Sequence, residues 1–359
     1  MNAVRSARWL VLGAFQFLAT SLFAQDAPAP VLQPAPHSHA GKYEHVIVHG
    51  ASLAGNLEGD SADRLVSVYL PPSYAHSGSR RYPVLYLLHG FTDSDSRWFG
   101  LKGRWFVNVP DAADRAYRSG VHEMIIVMPD AFTRYQGSMY SNSVVIGDWE
   151  SFVTRDLVAY IDSHYRSIAR PASRGLAGHS MGGYGTLRIG MKRPGVFSSL
   201  YAQSPCCLAA NLMPDPHTAE RAQAITTPEQ IAAADFGTKA MLASAAAWSP
   251  DPGNPPRFFD LPLVNGTPVA DVLAIWAANA PLAMVHQYVP ALKTYQAIAF
   301  DAGDQDTGIA ESVRKLDAVL TGYRVEHVAE IYQGDHVNRI DERLAGKVLP
   351  FFSEHLKFR

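Results

Sequence analysis

Residues 174–185 read Arg-Gly-Leu-Ala-Gly-His-Ser-Met-Gly-Gly-Tyr-Gly, an apolar run that leads into a Gly-x-Ser-x-Gly motif centred on Ser180. A serine on a sharp turn between a strand and a helix has a strained backbone, and side chains two residues before or after it would collide. Gly178 and Gly182 remove those collisions, and the turn directs the first helical amides, including that of Met181, at a bound group. The motif predicts a strand–turn–helix that presents Ser180; the alternative is a chance glycine-rich turn with a buried serine.

A second apolar run lies upstream, where residues 82–90 read Tyr-Pro-Val-Leu-Tyr-Leu-Leu-His-Gly. Continuous apolarity is typical of a central parallel strand that is covered on both faces. In folds that use the serine turn, the loop after such a strand supplies a second amide that faces the serine. We assign that donor to the amide of Phe91, because Gly90 lets the backbone turn inward. His89 is expected to be a packed side chain at the strand end rather than a catalytic base.

Strand and helix patterns alternate along most of the chain. They predict an antiparallel hairpin within 43–70, strands at 123–130, 196–202, 295–301 and 325–331, and an amphipathic helix at 149–161. Such alternation predicts an α/β fold with a mainly parallel central sheet, helices on both faces and a ligand site at the carboxyl ends of the strands. From about 207 to 288 the alternation breaks, and this stretch is predicted to be an inserted helical segment.

Chemistry at Ser180 requires a base, because an alcohol is a poor nucleophile at neutral pH. His336 follows the final predicted strand and precedes the closing helix, which fits the chain order nucleophile, carboxylate, histidine. The loop after the penultimate predicted strand offers Asp301, Asp304 and Asp306 as the carboxylate that fixes the imidazole tautomer. We expect Asp306, which lies farthest round that loop, with Asp304 as the main alternative.

These motifs resemble the esterase D-like branch of the α/β-hydrolases, which includes feruloyl and acetyl-xylan esterases, S-formylglutathione hydrolases and mycobacterial mycolyltransferases. The resemblance extends from Tyr43 to Leu356 and is carried by residues 82–90, Gly147-Asp148-Trp149-Glu150, residues 178–183 and Gly303-Asp304-Gln305-Asp306. It implies an α/β-hydrolase fold with a catalytic serine, acid and base and with two oxyanion-binding amides: Ser180, Asp306, His336, Phe91 and Met181.

The resemblance also implies a serine carboxylic-ester hydrolase that forms an acyl-enzyme and acts on aryl, feruloyl or acetyl esters, without a cofactor or metal. Three aromatic residues are expected in the substrate pocket, namely Trp98, Tyr140 and Tyr184. The alternatives are an acyltransferase that passes the acyl group to a sugar or another alcohol, and an inactive carbohydrate-binding relative. The chain departs from the common family form at Gly334-Asp335-His336 and in its insertion, so the sequence leaves the natural ester open.

Composition limits the classes of partner. The chain has 359 residues, of which 47% are hydrophobic and 18% charged, enough for a large core and too few charges for disorder. We expect one domain at 43–359 that contains the insertion. A net charge of -2 without Lys/Arg clusters argues against nucleic acid and anionic membranes, so the expected partner is a small-molecule or carbohydrate-linked ester. The insertion carries aromatic residues that either line an apolar pocket or pack in the core: Trp248, Phe258, Phe259 and Trp276.

The amino-terminal residues predict export. Residues 1–24 combine Arg5 and Arg8 with an apolar run that closes on a small residue, a pattern typical of a secretory signal peptide. An uncleaved membrane anchor is the alternative, although the run is short for a span. Residues 25–42, rich in Pro and Ala, are predicted to be a linker. The expected location is secreted or periplasmic, with no membrane span after removal of the signal.

The two cysteines of the chain, Cys206 and Cys207, are adjacent. Neighbouring Cα atoms across a trans peptide lie about 3.8 Å apart, below the usual range for a disulfide. We therefore expect two small buried thiols rather than a disulfide.

Overall fold

A central sheet of eight strands organises the protein. The computed structural model describes residues 40–103, 105–210 and 215–359, so the predicted signal peptide and nearly all of the predicted linker lie outside the described residues. The strands are β1 (Lys42–His49), β2 (Asp63–Leu70), β3 (Val84–Leu88), β4 (Ile125–Pro129), β5 (Arg174–His179), β6 (Ser199–Gln203), β7 (Ala297–Gly303) and β8 (Val328–Tyr332). They lie in the order β1-β2-β4-β3-β5-β6-β7-β8.

The sheet is parallel except at one edge. Strands β1 and β2 form an antiparallel hairpin, and β2 pairs antiparallel with β4. All pairings from β4 through β3 to β8 are parallel. All five residues of β3 are buried, which agrees with its continuous apolar sequence. The predicted edge hairpin and central strand are therefore confirmed.

Eleven helices, not counting three short 3₁₀ helices, accompany these strands in the described part of the chain. Two of them, α3 and α11, run through three consecutive helical segments each. Their bounds are α1 (Asp95–Trp98), α2 (Val109–Arg118), α3 (Trp149–Ser151, Phe152–Asp156 and Leu157–His164), α4 (Met181–Lys192), α5 (Pro216–Ala224), α6 (Pro228–Ala233), α7 (Phe236–Trp248), α8 (Ala270–Ala278), α9 (Pro281–Leu292), α10 (Thr307–Gly322) and α11 (Ile340–Arg343, Leu344–Val348 and Leu349–His355).

Helices cover both faces of the sheet. Alternate residues of β3 point to opposite sides, so Tyr86 belongs to one core cluster and Leu87 to the other. The first cluster contains buried residues of α3, α4 and α10, and the second contains those of α2 and α11. This arrangement confirms the predicted α/β class and explains why the central strands β3 and β4 carry so few polar residues.

The segment between β6 and β7 is helical, as the broken alternation predicts. Helices α5 and α7 are capped at their N-termini by Asp215 and Asp235, whose carboxylates accept hydrogen bonds from the amides of Thr218 and Thr238. Helix α9 follows and contacts α4. Among the described residues, no single helix is long and apolar enough to cross a membrane, and only the bent pair α8–α9 passes that test by length and composition.

Candidate active site

Ser180 lies on a sharp turn between β5 and α4. Its backbone has φ 57° and ψ -114°, a conformation that residues with side chains rarely adopt. A Cβ atom at Gly182 would lie 2.0 Å from the carbonyl oxygen of Leu88, and one at Gly178 would lie 2.3 Å from the carbonyl oxygen of Gly182. Both glycines are therefore needed for the close backbone approach, as the spacing of the motif predicts.

The loops after β7 and β8 bring an imidazole and a carboxylate to this serine. The Nε2 atom of His336 lies 2.9 Å from the Oγ atom of Ser180, and its Nδ1 atom lies 2.5 Å from Oδ2 of Asp306. Since an ionised carboxylate only accepts, Nδ1 donates to Asp306, and Nε2 is left to accept the serine hydroxyl proton. The two loops can approach each other because Gly303 has no side chain. A Cβ atom at this position would lie 2.3 Å from the carbonyl oxygen of Gly334.

The other two aspartates of this region have different partners. Asp301 is fully buried and accepts hydrogen bonds from the Tyr201 hydroxyl at 2.9 Å and from Nε of Arg343 at 2.8 Å. Asp304 accepts from the amide of Gly334 at 3.0 Å and so joins the two loops. Of the three carboxylates considered in the sequence, Asp306 is the one that the structure places against His336.

Two backbone amides lie free beside the serine. Neither the amide of Phe91 nor that of Met181 has a hydrogen-bond acceptor within residues 40–103, 105–210 and 215–359. The loop that carries the Phe91 amide lies close to the serine. A Cβ atom added to the preceding residue, Gly90, would be only 3.5 Å from Cβ of Ser180. Unpaired amides at such a position can stabilise a negative oxygen.

A residue that the sequence analysis missed, His179, connects the turn to the imidazole. Its Nε2 atom lies 2.8 Å from the carbonyl oxygen of His336, which can only accept, so Nε2 carries the proton. Burial, together with repulsion from the His336 imidazole, lowers the pKa of His179 to about 3. The sequence signal is a lone imidazole that directly follows the apolar residues Gly175, Leu176, Ala177 and Gly178.

A cavity of about 230 Å³ opens over Ser180. Four aromatic side chains line it in two pairs: the rings of Phe91 and Phe236 lie 5.5 Å apart, and those of Trp105 and Phe106 lie 4.3 Å apart. Phe236 is 65% exposed and Phe106 46% exposed, so both stand at the rim. Trp105, Phe106 and Phe236 are not among the residues predicted from the sequence, in which the adjacent Trp-Phe pair in a polar loop is the available signal.

The predicted pocket residues Trp98, Tyr140 and Tyr184 do not line this cavity, so that prediction is wrong. Each is at most 1% exposed and uses its polar atom within the protein. The acceptors are Oδ2 of Asp93 for the Trp98 indole and the carbonyl oxygens of His89 and Asn279 for the two tyrosines. These aromatic rings complete the core and do not form the walls of the serine cavity.

His89 and three aromatic residues of the insertion, Trp248, Phe259 and Trp276, also lie away from the serine cavity. His89 is fully buried and its Nε2 atom accepts from the amide of Ala131 at 2.8 Å, so it is a packed strand-end residue, as predicted. Trp248 and Trp276 line a separate apolar cavity of about 310 Å³, and Phe259 is buried in the core. Among the described residues, no group of three or more His, Cys, Asp or Glu side chains could hold a metal ion.

The sheet order, the strained serine turn and the aligned serine, imidazole and carboxylate define a protein of the α/β-hydrolase class. The family model described as "Putative esterase" matches residues 61–341, and the chain belongs to this esterase family.

Individual relatives match parts of the chain. It is 38% identical over 144 residues to an esterase of Mycobacterium tuberculosis and 27% identical over 170 residues to an endo-1,4-beta-xylanase/feruloyl esterase of Xylanibacter ruminicola. These alignments cover 39% and 46% of this chain but only 28% and 23% of the relatives. A solved ferulic acid esterase shares the fold, with a TM-score of 0.61 and 21% identity over 89% of this chain and 99% of that one.

Proposed function

We propose that this protein is a serine carboxylic-ester hydrolase in which Ser180, His336 and Asp306 act as a catalytic triad. The observation that carries the proposal is the continuous line of hydrogen-bonding atoms from the Ser180 hydroxyl through both ring nitrogens of His336 to Asp306. Membership of the esterase family supports the same reaction. The arrangement activates an alcohol that would otherwise be a weak nucleophile.

In the proposed mechanism, Oγ of Ser180 attacks the ester carbonyl while Nε2 of His336 takes the hydroxyl proton. Asp306 holds the imidazole and stabilises its positive charge, and the amides of Phe91 and Met181 bind the developing oxyanion. His336 then protonates the departing alcohol, which leaves an acyl group on the serine. Water, deprotonated by the same imidazole, attacks that acyl group and releases the acid.

We propose an ester with an aromatic acyl group as the substrate. The cavity over Ser180 is lined by four aromatic rings, two of them exposed at the rim although exposure of such large apolar groups is unfavourable without a ligand. Flat aromatic groups pack well against aromatic faces and edges. Two of the proteins to which this chain is similar carry feruloyl or ferulic acid esterase in their names, which supports an aryl rather than an acetyl ester.

Export remains part of the proposal. The positively charged start and apolar run of residues 1–24 support a signal peptide and a secreted or periplasmic location. Expression of the whole chain in a Gram-negative host, fractionation of the cells and mass analysis of the mature amino terminus test it. A protein that stays in the cytoplasmic fraction with its first residues intact would refute export.

The triad is tested by three purified variants with p-nitrophenyl acetate. Ser180→Ala is expected to reduce kcat at least about 10⁴-fold and to prevent labelling by a fluorophosphonate. Asp306→Asn is expected to reduce kcat by about 10⁴-fold. The matched control Asp304→Asn retains an oxygen acceptor for the Gly334 amide and should stay within about tenfold of the parent. Wild-type kcat in Ser180→Ala, or a loss confined to Asp304→Asn, would refute the assignment.

The substrate is tested with methyl ferulate, acetylated xylan and p-nitrophenyl esters of increasing chain length. The aromatic walls predict the highest kcat/KM for the ferulate. A preference for acetylated xylan would refute the aromatic proposal while leaving the triad in place. Mass spectrometry of the same reactions with glycerol present detects any transacylated product and so distinguishes hydrolysis from acyl transfer.

A further inference from the structure

Cys206 and Cys207 lie in contact directly behind the serine turn. They follow β6, and their Sγ atoms are 2.8 Å apart, although both are free thiols. The amide of Cys206 donates to the carbonyl oxygen of Ser180 at 3.1 Å. The short distance between neighbouring Cα atoms predicts two small buried thiols without a bond. The structure shows that the side chains nevertheless bring the two sulfur atoms together.

The pair is accessible from one side. Cys207 lines the apolar cavity of about 310 Å³ that Met241, Trp248 and Trp276 also border, and both cysteine residues are partly exposed. Cys207 has φ 60°, an uncommon value for a residue with a side chain. A hydrogen bond with Cys207, together with burial, raises the pKa of the Cys206 thiol. Cys207 is therefore the sulfur that an external reagent reaches through the cavity.

We propose that Cys206 and Cys207 form a reversible dithiol–disulfide site, oxidised by a low-molecular-weight disulfide such as oxidised glutathione. The Cys207 thiolate attacks one glutathione sulfur, forms a mixed disulfide and expels the other glutathione as a thiolate that takes up a proton. The Cys206 thiolate then attacks the Cys207 sulfur, a Cys206–Cys207 bond forms and the second glutathione thiol leaves. Two protein thiols are oxidised, and one glutathione disulfide is reduced to two thiols.

The second step is favoured by proximity. The Sγ atom of Cys206 already lies beside that of Cys207. Cys206 can therefore attack the mixed disulfide without any movement of a helix or strand. The closed ring joins neighbouring residues whose Cα separation of about 3.8 Å is below that of ordinary disulfides. Such a bond is readily reduced, which makes the site reversible.

Intact-mass measurement and thiol titration test the proposal. The purified protein is reduced, freed of reductant and incubated with oxidised glutathione under native conditions. The expected product has lost both titratable thiols and a mass equal to two hydrogen atoms, carries no glutathione, and regains both thiols with dithiothreitol. The variant Cys206→Ser cannot close the ring and is expected to retain one glutathione on Cys207.

Two results would overturn the proposal. One is a wild-type protein that keeps both thiols under conditions in which Cys206→Ser acquires the adduct; the other is a wild-type protein that stops at a stable glutathione adduct. Circular dichroism of the parent and variant establishes that both are folded. Because the measurement is of mass and thiol content, it is independent of the proposed esterase activity.

Discussion

His179 makes the stability of this protein sensitive to acid. Its imidazole is 5% exposed, donates from Nε2 to the carbonyl oxygen of His336 and has a pKa of about 3 in the folded protein, against an ordinary value of 6.5. Burial disfavours the imidazolium, and a second positive charge on the neighbouring His336 adds repulsion. The folded chain therefore keeps His179 neutral at pH values where the unfolded chain protonates it.

The sign and size of the effect follow from proton linkage. Between the two pKa values the unfolded state binds one more proton, so the free energy of unfolding falls by about 1.36 kcal/mol for each unit of pH decrease. The contribution is complete above pH ~6.5 and is lost as the pH falls toward ~3. From about pH 7 to about pH 4, His179 alone is expected to remove roughly 3 kcal/mol, a large share of the stability of an ordinary domain.

The variant His179→Gln isolates this term, because a glutamine side chain can donate to the same carbonyl and does not titrate. Urea unfolding of both proteins at a series of pH values gives the two stability curves. We expect them to run parallel above pH ~7 and the parent to lose about 3 kcal/mol more than the variant by pH ~4. Curves that stay parallel down to pH ~4 would refute the inference that a buried neutral imidazole occupies this position.

Substitutions at three other places in the protein test contacts of different kinds. Gly182→Ala places a Cβ atom 2.0 Å from a backbone oxygen and should cost about 3 kcal/mol or more in urea unfolding, whereas Gly308→Ala, with open space around it, should not destabilise. Arg343→Leu leaves the fully buried Asp301 without its cation and should cost about 3–5 kcal/mol, measured in the same way. Phe236→Ala should lower kcat/KM for methyl ferulate about tenfold, with p-nitrophenyl acetate hydrolysis unchanged.

The sheet and the loops that carry the chemistry could be predicted from the sequence because their signals are local. A continuous apolar run such as β3 can be stable only when both faces are covered, and the glycines around Ser180 report a backbone approach that no other residue permits. The order of the loops after β7 and β8 then predicts His336 and a carboxylate of the β7 loop as the pair that can meet at the serine, with Asp306 preferred and Asp304 as the alternative.

The walls of the cavity could not be predicted in this way. The rings of Trp98, Tyr140 and Tyr184 face the core. The sequence gives no direction for them, because a single aromatic residue in a loop or a four-residue helix has no periodic pattern and α4, which carries Tyr184, is buried on all sides. Phe236 is the first residue of α7, which follows the N-cap Asp235 inside the insertion, and from there its ring reaches the serine cavity. Its position depends on how that helix packs, which is tertiary information.

Chemistry and selectivity therefore have different structural origins in this protein. The reacting groups follow strands of the parallel sheet, whose register fixes them relative to one another. The aromatic rim comes from the loop of Trp105 and Phe106 and from the first turn of α7, neither of which belongs to the sheet. A change in the insertion can thus alter the ester that fits over Ser180 without displacing His336, and substitutions at Phe236 should change substrate preference before they change the rate of the chemical step.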